Sequence, residues 1–146
     1  MDVLNPEQRS RNMKAIKSKK TKIEELLAKG IYTKGYRYRR NNGAVYGKPD
    51  FTFRKLKIAI FCDSEYFHGK DWDQQKCRIK TNTEFWHKKI EGNIRRDNQV
   101  NEYLLLNGWK VIRFWGHDIK NNLNLCIAQI EDCITERKQN KDVKIF

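Results

Sequence analysis

The residues able to do chemistry gather in one stretch, IFCDSEYFHGKDW at positions 60–72. An apolar run stops there, and Asp63, Glu65, Tyr66, Phe67 and His68 follow in quick succession. Upstream, Asp50 follows Gly47-Lys48-Pro49 and opens a second apolar run, FTF. Strand alternation puts Asp50 and Thr52 on the face opposite Phe51 and Phe53. If the two runs pair as antiparallel neighbours, Asp50 comes near the backbone carbonyl of Cys62 and the carboxylate of Asp63. Carboxylates with a carbonyl oxygen are what a hard divalent cation such as Mg²⁺ takes beside substrate phosphate oxygens. Such a cation activates water and neutralises the charge that builds on a cleaved phosphodiester. His68 would then be the positioned general base. The competing reading is a polar loop that caps a buried strand. Zinc is the rival metal, but Cys62, His68 and Cys77 match no usual ligand spacing and Cys62 lies inside the apolar run, so none is expected.

The elements that must hold these residues are legible around them. Thr21 with Glu24 forms a capping box that opens a helix with Ile23, Leu26, Leu27 and Ile31 on its apolar face. FTFRK and LKIAIFC read as a hairpin turning at Arg54 and Lys55, its second strand apolar enough to be covered on both faces. Thr81 and Glu84 offer a second capping box for a helix from about Thr83 to Leu106, ended by Gly108. WKVIRFW follows as a strand, and a last helix carries Ile119, Leu123, Ile127, Ile130 and Ile134 on one face. The predicted fold class is α/β, a mixed sheet flanked by helices in a single domain.

Trp86, Ile90, Ile94, Val100, Leu104 and Leu105 share one stripe of the long helix, and Asn93, Asp97 and Asn101 fall inside it. Polar groups on a buried face need partners. Asp97 is therefore either a structural acceptor or a group beside an active site. Tyr66, Phe67, Trp72 and Trp86 either pack as core or present rings that stack on bases.

In 146 residues there is room for one domain. Lys and Arg outnumber the acids 31 to 18, a formal charge of +13 that points to a polyanion, most simply nucleic acid. Residues 9–22, RSRNMKAIKSKKTK, contain no acid, and Arg9, Arg11, Lys14 and Lys17 suit an arm lying along phosphates, or else a solvated tail. No signal peptide or membrane span is evident, and four cysteines without Cys-x-x-Cys spacing read as reduced thiols of a cytoplasmic protein.

Taken together, RSRNMKAI, T-x-IE at Thr21–Glu24, GKPDF, the Tyr-Phe-His loop, TEFWHKKIEGNIRRD and LNGWKVIRFW resemble the very-short-patch-repair (Vsr-type) mismatch endonucleases. These belong to the restriction-endonuclease-like superfamily, and the resemblance runs from about Arg9 to Ala128. It implies a Mg²⁺-dependent enzyme that nicks one strand of duplex DNA 5′ to the thymine of a T·G mismatch. By position, Asp50 matches the metal-binding aspartate and Cys62 the residue whose carbonyl completes that site. His68 matches the catalytic histidine, Glu24 the acid of the first helix and Asp97 the supporting acid. Tyr66, Phe67 and Trp86 match the wedge that enters DNA beside the mismatch, which would take Trp86 out of the core.

The family's structural zinc ligands would fall at Glu65, Lys70, Trp72 and His117, so the resemblance implies a zinc-free variant. Asp63 replaces a family histidine and adds a carboxylate beside the metal. The expected organisation is a DNA-contacting arm at 1–20 and an endonuclease domain at 21–146, acting as a monomer on mismatched double-stranded DNA with mismatch-repair proteins as possible partners. Two other readings remain: a nuclease of this fold with restriction-like or homing-type duplex specificity, and a non-catalytic DNA-binding protein.

Overall fold

The computed structural model of the chain describes residues 22–143. Helix α1 (Lys22–Thr33) comes first, then β1 (Arg39–Arg40), β2 (Phe51–Phe53) and β3 (Ile58–Asp63). A short helix α2 (Trp72–Gln75), the long helix α3 (Thr83–Leu106), β4 (Lys110–Trp115), α4 (Gly116–Asn121) and α5 (Leu123–Val143) complete the order. Among the described residues the strands form one sheet in the order β1-β2-β3-β4. β1, β2 and β3 pair antiparallel, and β3 pairs parallel with β4 from Ile58↔Lys110 to Asp63↔Trp115. The protein is therefore an α/β domain with a mixed sheet, consistent with a restriction-endonuclease-like fold.

The hairpin forms because a 3₁₀ turn at Arg54–Leu56 and a left-handed Lys57 reverse the chain between apolar strands. β3 is covered on both faces. Ile58 and Ile60 pack with Leu27, Ile31, Phe51, Ile112, Phe114, Ile127 and Ile130 on the side of α1 and α5. Ala59 and Phe61 pack with Val100 and Leu104 of α3 on the other. A central strand covered in this way has no freedom of register, so its polar C-terminal end is fixed in place.

Three expectations are corrected. The Thr81–Glu84 capping box does not form: Asn82 takes a left-handed conformation at the start of α3 with no side-chain cap. The last helix is broken at Asn122, which separates α4 from α5, although Ile119, Ile127, Ile130 and Ile134 are all buried. Leu105 is 59% exposed, because α3 turns that edge to solvent. Thr21 and the basic residues Arg9, Arg11, Lys14 and Lys17 lie outside the described residues. Among the described residues, no helix is long and apolar enough to cross a membrane.

Candidate active site

The site is built where β3 runs out between α1 and α3. Asp50 immediately precedes β2, and its Oδ2 accepts the Cys62 N–H at 2.7 Å. The pairing Phe51↔Ile60, carried two residues further, sets Pro49 opposite Cys62. Proline has no N–H to offer the Cys62 carbonyl. The N–H and C=O of a strand residue leave on the same edge, so that carbonyl faces the side on which Asp50 lies. From α1, Glu24 reaches the same place and hydrogen-bonds with Asp50. Burial first, then Glu24 and the charge of Asp63, push the Asp50 carboxyl up to about 7 against the pull of the Cys62 N–H. Burial, with Asp50, Glu24 and Asp63 adding to it, pushes the Cys62 thiol far up, so its sulfur stays protonated.

A second cluster lies alongside. His68 Nδ1 is 2.7 Å from Asp97 Oδ2 and 3.7 Å from Asp63 Oδ1. Arg113, on β4, donates from one terminal nitrogen to both Asp63 oxygens at 3.1 Å each. Its Nε donates to Asn101 Oδ1 at 2.7 Å, its guanidinium stacks 4.0 Å from the Phe61 ring centre, and Asp97 Oδ1 lies 3.6 Å away. The polar members of the α3 stripe are thereby accounted for. Asn101 holds Arg113, Asp97 holds His68, and Asn93 donates to the Phe67 carbonyl at 2.8 Å. Burial pushes the Asp63 carboxyl up, and Arg113 and His68 only partly offset it. Burial works against a charged His68, but the Asp97 hydrogen bond and the Asp63 charge outweigh it and the imidazole is shifted up.

Two donor sets could therefore take a cation. Ligand atoms of Asp63, His68 and Asp97 lie within 4.8 Å of one another. That set already holds a positive group, since Arg113 bonds both Asp63 oxygens and faces Asp97. The Asp50–Glu24 pair is different. Two carboxyls joined by a hydrogen bond hold a proton between them, and a divalent cation displaces such a proton while satisfying both oxygens. With the Cys62 carbonyl beside it, this is an all-oxygen set that fits a hard ion.

Asp50, Cys62, Asp63, His68 and Asp97 line one cleft of about 360 Å³, with Lys48, Asn93 and Arg96. A larger cavity of about 470 Å³ lies under the loop among Trp72, Ile79 and Ile90, and it touches none of Glu24, Asp50, Asp63 and Asp97. Size does not mark the site here; donor chemistry does.

The loop that carries His68 also carries Tyr66 and Phe67, 49% and 45% exposed. Their rings meet at 5.3 Å, and both lie against Trp86, at 5.7 and 6.3 Å. Trp86 is half-buried and belongs to neither apolar core. Sequence reasoning missed Phe85, which adds a further ring, and Arg113, the one cation in the otherwise apolar VIRFW that follows Lys110 in β4. That isolation was the signal available for Arg113. The four positions Glu65, Lys70, Trp72 and His117 are drawn into other bonds. Glu65 Oε1 accepts the His117 N–H at 2.6 Å, at the start of α4. A Cβ at Gly116 would crowd the Ile23 side chain at 3.1 Å and only touch Glu65 Oε2, at 3.5 Å. Lys70 lies 6.0 Å from the Trp115 ring centre, and Trp72 donates to Glu91 at 3.3 Å. Gly69 adopts φ +68 against Ile94 and Ile90, where no side chain fits.

Residues 1–74 match the family model described as DNA mismatch endonuclease Vsr. The chain is 49% identical over 138 residues to the type II nicking enzyme V.NmeDIP of Neisseria meningitidis serogroup C, covering 94% of this chain and 93% of that protein. It is 51% identical over 138 residues to the type II nicking enzyme V.HpaIIP of Haemophilus parainfluenzae, covering 94% and 98%. To the DNA mismatch endonuclease Vsr of Escherichia coli (strain K12) it is 31% identical over 140 residues, covering 93% and 84%. Identity of this extent along nearly the whole length makes the chain a DNA endonuclease that belongs to the Vsr family.

Proposed function

We propose that this endonuclease nicks one strand of double-stranded DNA at a T·G mismatch, with Mg²⁺ held by Asp50 and the Cys62 carbonyl. Glu24 is the neighbouring carboxylate, and Asp63, tied to Arg113, borders the ion. The observation that carries the reading is that Asp50 and His68 open into one cleft, at the foot of an exposed cluster of rings. When bound, the cation would lower the pKa of a water and neutralise charge on the scissile phosphate.

The chain's own residues supply the rest. His68 donates Nδ1–H to Asp97, which leaves the Nε2 lone pair to take a proton from the attacking water. Asp97 fixes the tautomer and stabilises the imidazolium that forms, and Arg113 holds Asp63 and faces Asp97 from behind. Lys48 and Arg96 line the cleft and suit the flanking phosphates. Tyr66, Phe67 and Trp86 enter the duplex where a mismatch has weakened stacking. The basic residues Arg9, Arg11, Lys14 and Lys17 extend the contact along the backbone.

A second reading, a nick set by duplex sequence without a mismatch, is supported by the description of V.NmeDIP and V.HpaIIP as type II nicking enzymes. One experiment separates them. The protein and its Asp50→Ala variant are incubated with a T·G duplex and a matched control, with Mg²⁺ or EDTA. Mg²⁺-dependent nicking of the mismatched duplex alone is expected. Cleavage of both duplexes favours the second reading, and binding without cleavage defeats both.

A further inference from the structure

Beside Tyr66, Phe67 and Trp86 stands Phe85, in the first turn of α3. It is 59% exposed, more than Tyr66 or Phe67, and belongs to neither apolar core. Its ring meets Trp86 edge-on at 5.3 Å, so it continues the same exposed surface. One helical turn on, Lys89 lies over both rings, with Nζ 5.5 Å from the Trp86 centre and 5.9 Å from the Phe85 centre. That is the three- and four-residue spacing that brings helix side chains together. Lys89 has no ion pair with an acid among the described residues.

A large ring left in water on a protein of formal charge +13 does nothing for folding. Beside three other rings in mutual contact, it suits a surface that is buried only when a base stack opens. A lysine whose ammonium lies over two of those rings brings a positive charge to the border of the step they open, where the sugar-phosphate chain runs.

We propose that Phe85 and Lys89 form the outer part of the DNA-penetrating surface: Phe85 enters the duplex beside Trp86, and Lys89 contacts the phosphate bordering that step. The inference rests on the DNA-nicking reading above. It assigns the two residues different jobs, one reading how easily a step unstacks and the other adding affinity regardless of sequence.

The test is equilibrium binding in EDTA, where no cut is made, to mismatched and matched duplexes carrying 2-aminopurine next to the mismatch position. The parent brightens the mismatched probe by unstacking it. Phe85→Ala binds the mismatched duplex about tenfold more weakly, the usual scale for one stacking ring, with a smaller rise in fluorescence and an unchanged salt dependence. Lys89→Ala keeps the fluorescence rise, weakens both duplexes alike and lowers the salt slope by about one phosphate contact. Phe85→Tyr retains parental behaviour, and Phe85→Leu, which keeps apolar bulk without a ring, repeats the loss seen with alanine. Parental binding and brightening in Phe85→Ala, while Tyr66→Ala loses both, overturns the inference and leaves the nicking function standing. A parent that neither prefers nor unstacks the mismatch overturns the two together.

Discussion

Arg113 gives one terminal nitrogen to both oxygens of Asp63, at 3.1 Å each, across the parallel pairing of β3 with β4. Asp63 is buried at the end of β3, so without Arg113 its charge would have little solvent to face. The arginine is fixed in turn by Asn101 and by the Phe61 ring. The carboxylate at position 63 is therefore half of a pair, and its energetics cannot be separated from a residue fifty positions away.

Removing one partner of such a pair strands the other. Arg113→Gln is expected to lower stability by about 3 kcal/mol in urea unfolding, the scale for an uncompensated buried charge. Asp63→Asn combined with Arg113→Gln should recover more than half of that loss. If the double variant is no more stable than Arg113→Gln alone, the two residues are not energetically coupled.

The Asp50 carboxyl, raised to about 7, gives the metal-free protein a pH dependence of definite sign. Between the ordinary aspartate range and about 7 the folded state holds a proton that the unfolded chain has released, so this group's contribution to stability falls as pH rises through that window and levels above it. In the proposed site, Mg²⁺ has to displace the same proton. Its affinity should rise about tenfold per pH unit below 7 and flatten above. Calorimetry in buffers of differing ionisation enthalpy reads the released proton directly, and a flat affinity in the parent, or a slope that persists in Asp50→Asn, would exclude this origin.

His68 and Asp97 are expected to act on the chemical step rather than on binding. His68→Ala should lower single-turnover nicking by roughly 10²–10⁴-fold, with DNA affinity within a factor of a few of the parent. Asp97→Asn should lose rate as well, because an amide can hold the ring with the wrong nitrogen protonated. In the parent, the upward shift of His68 moves the acid limb of the pH–rate profile above that of a free imidazole. Undiminished turnover in His68→Ala would remove it from the mechanism.

The loop at 64–72 is held by side chains and backbone, with Glu65 on the His117 N–H as one anchor. Glu65→Ala should cost about 1–2 kcal/mol, the scale of a lost helix-start hydrogen bond to a carboxylate. A zinc chelator should leave the thermal midpoint of the parent unchanged. One tightly bound zinc per purified chain would contradict this account of the loop.

How much of this was legible in the sequence depended on whether the signal was local. The hairpin, α3 from Thr83 to Leu106 and β4 were readable because Pro49, the Arg54–Lys55 turn and Gly108 punctuate runs of clear period, although the structure carries the turn on to a left-handed Lys57. The Thr81–Glu84 pattern misled because Asn82 left the helical path, and a cap depends on backbone angles that residue types do not fix. Asn122 split a continuous apolar stripe for a similar reason: the stripe records burial, not an unbroken backbone. Asp97 was visible as a polar residue needing a partner, but the pattern could not name His68, because a loop conformation brings them together. Arg113 and Asp63 meet only through a register between strands separated by all of α3. Phe85 was overlooked beside Trp86, since on a helix the neighbouring residue points away from the core stripe.

The place of Pro49, two residues beyond the Phe51↔Ile60 pairing, bears on how this site tolerates change. In the proposed metal site, an oxygen supplied by a side chain is lost with a single codon, whereas the main-chain oxygen of residue 62 survives a change of side chain there. The vulnerability moves to position 49, where every other amino acid brings an N–H that can close the ladder over that oxygen. Drift at the cysteine is therefore cheap for the chemistry, and drift at the proline is not.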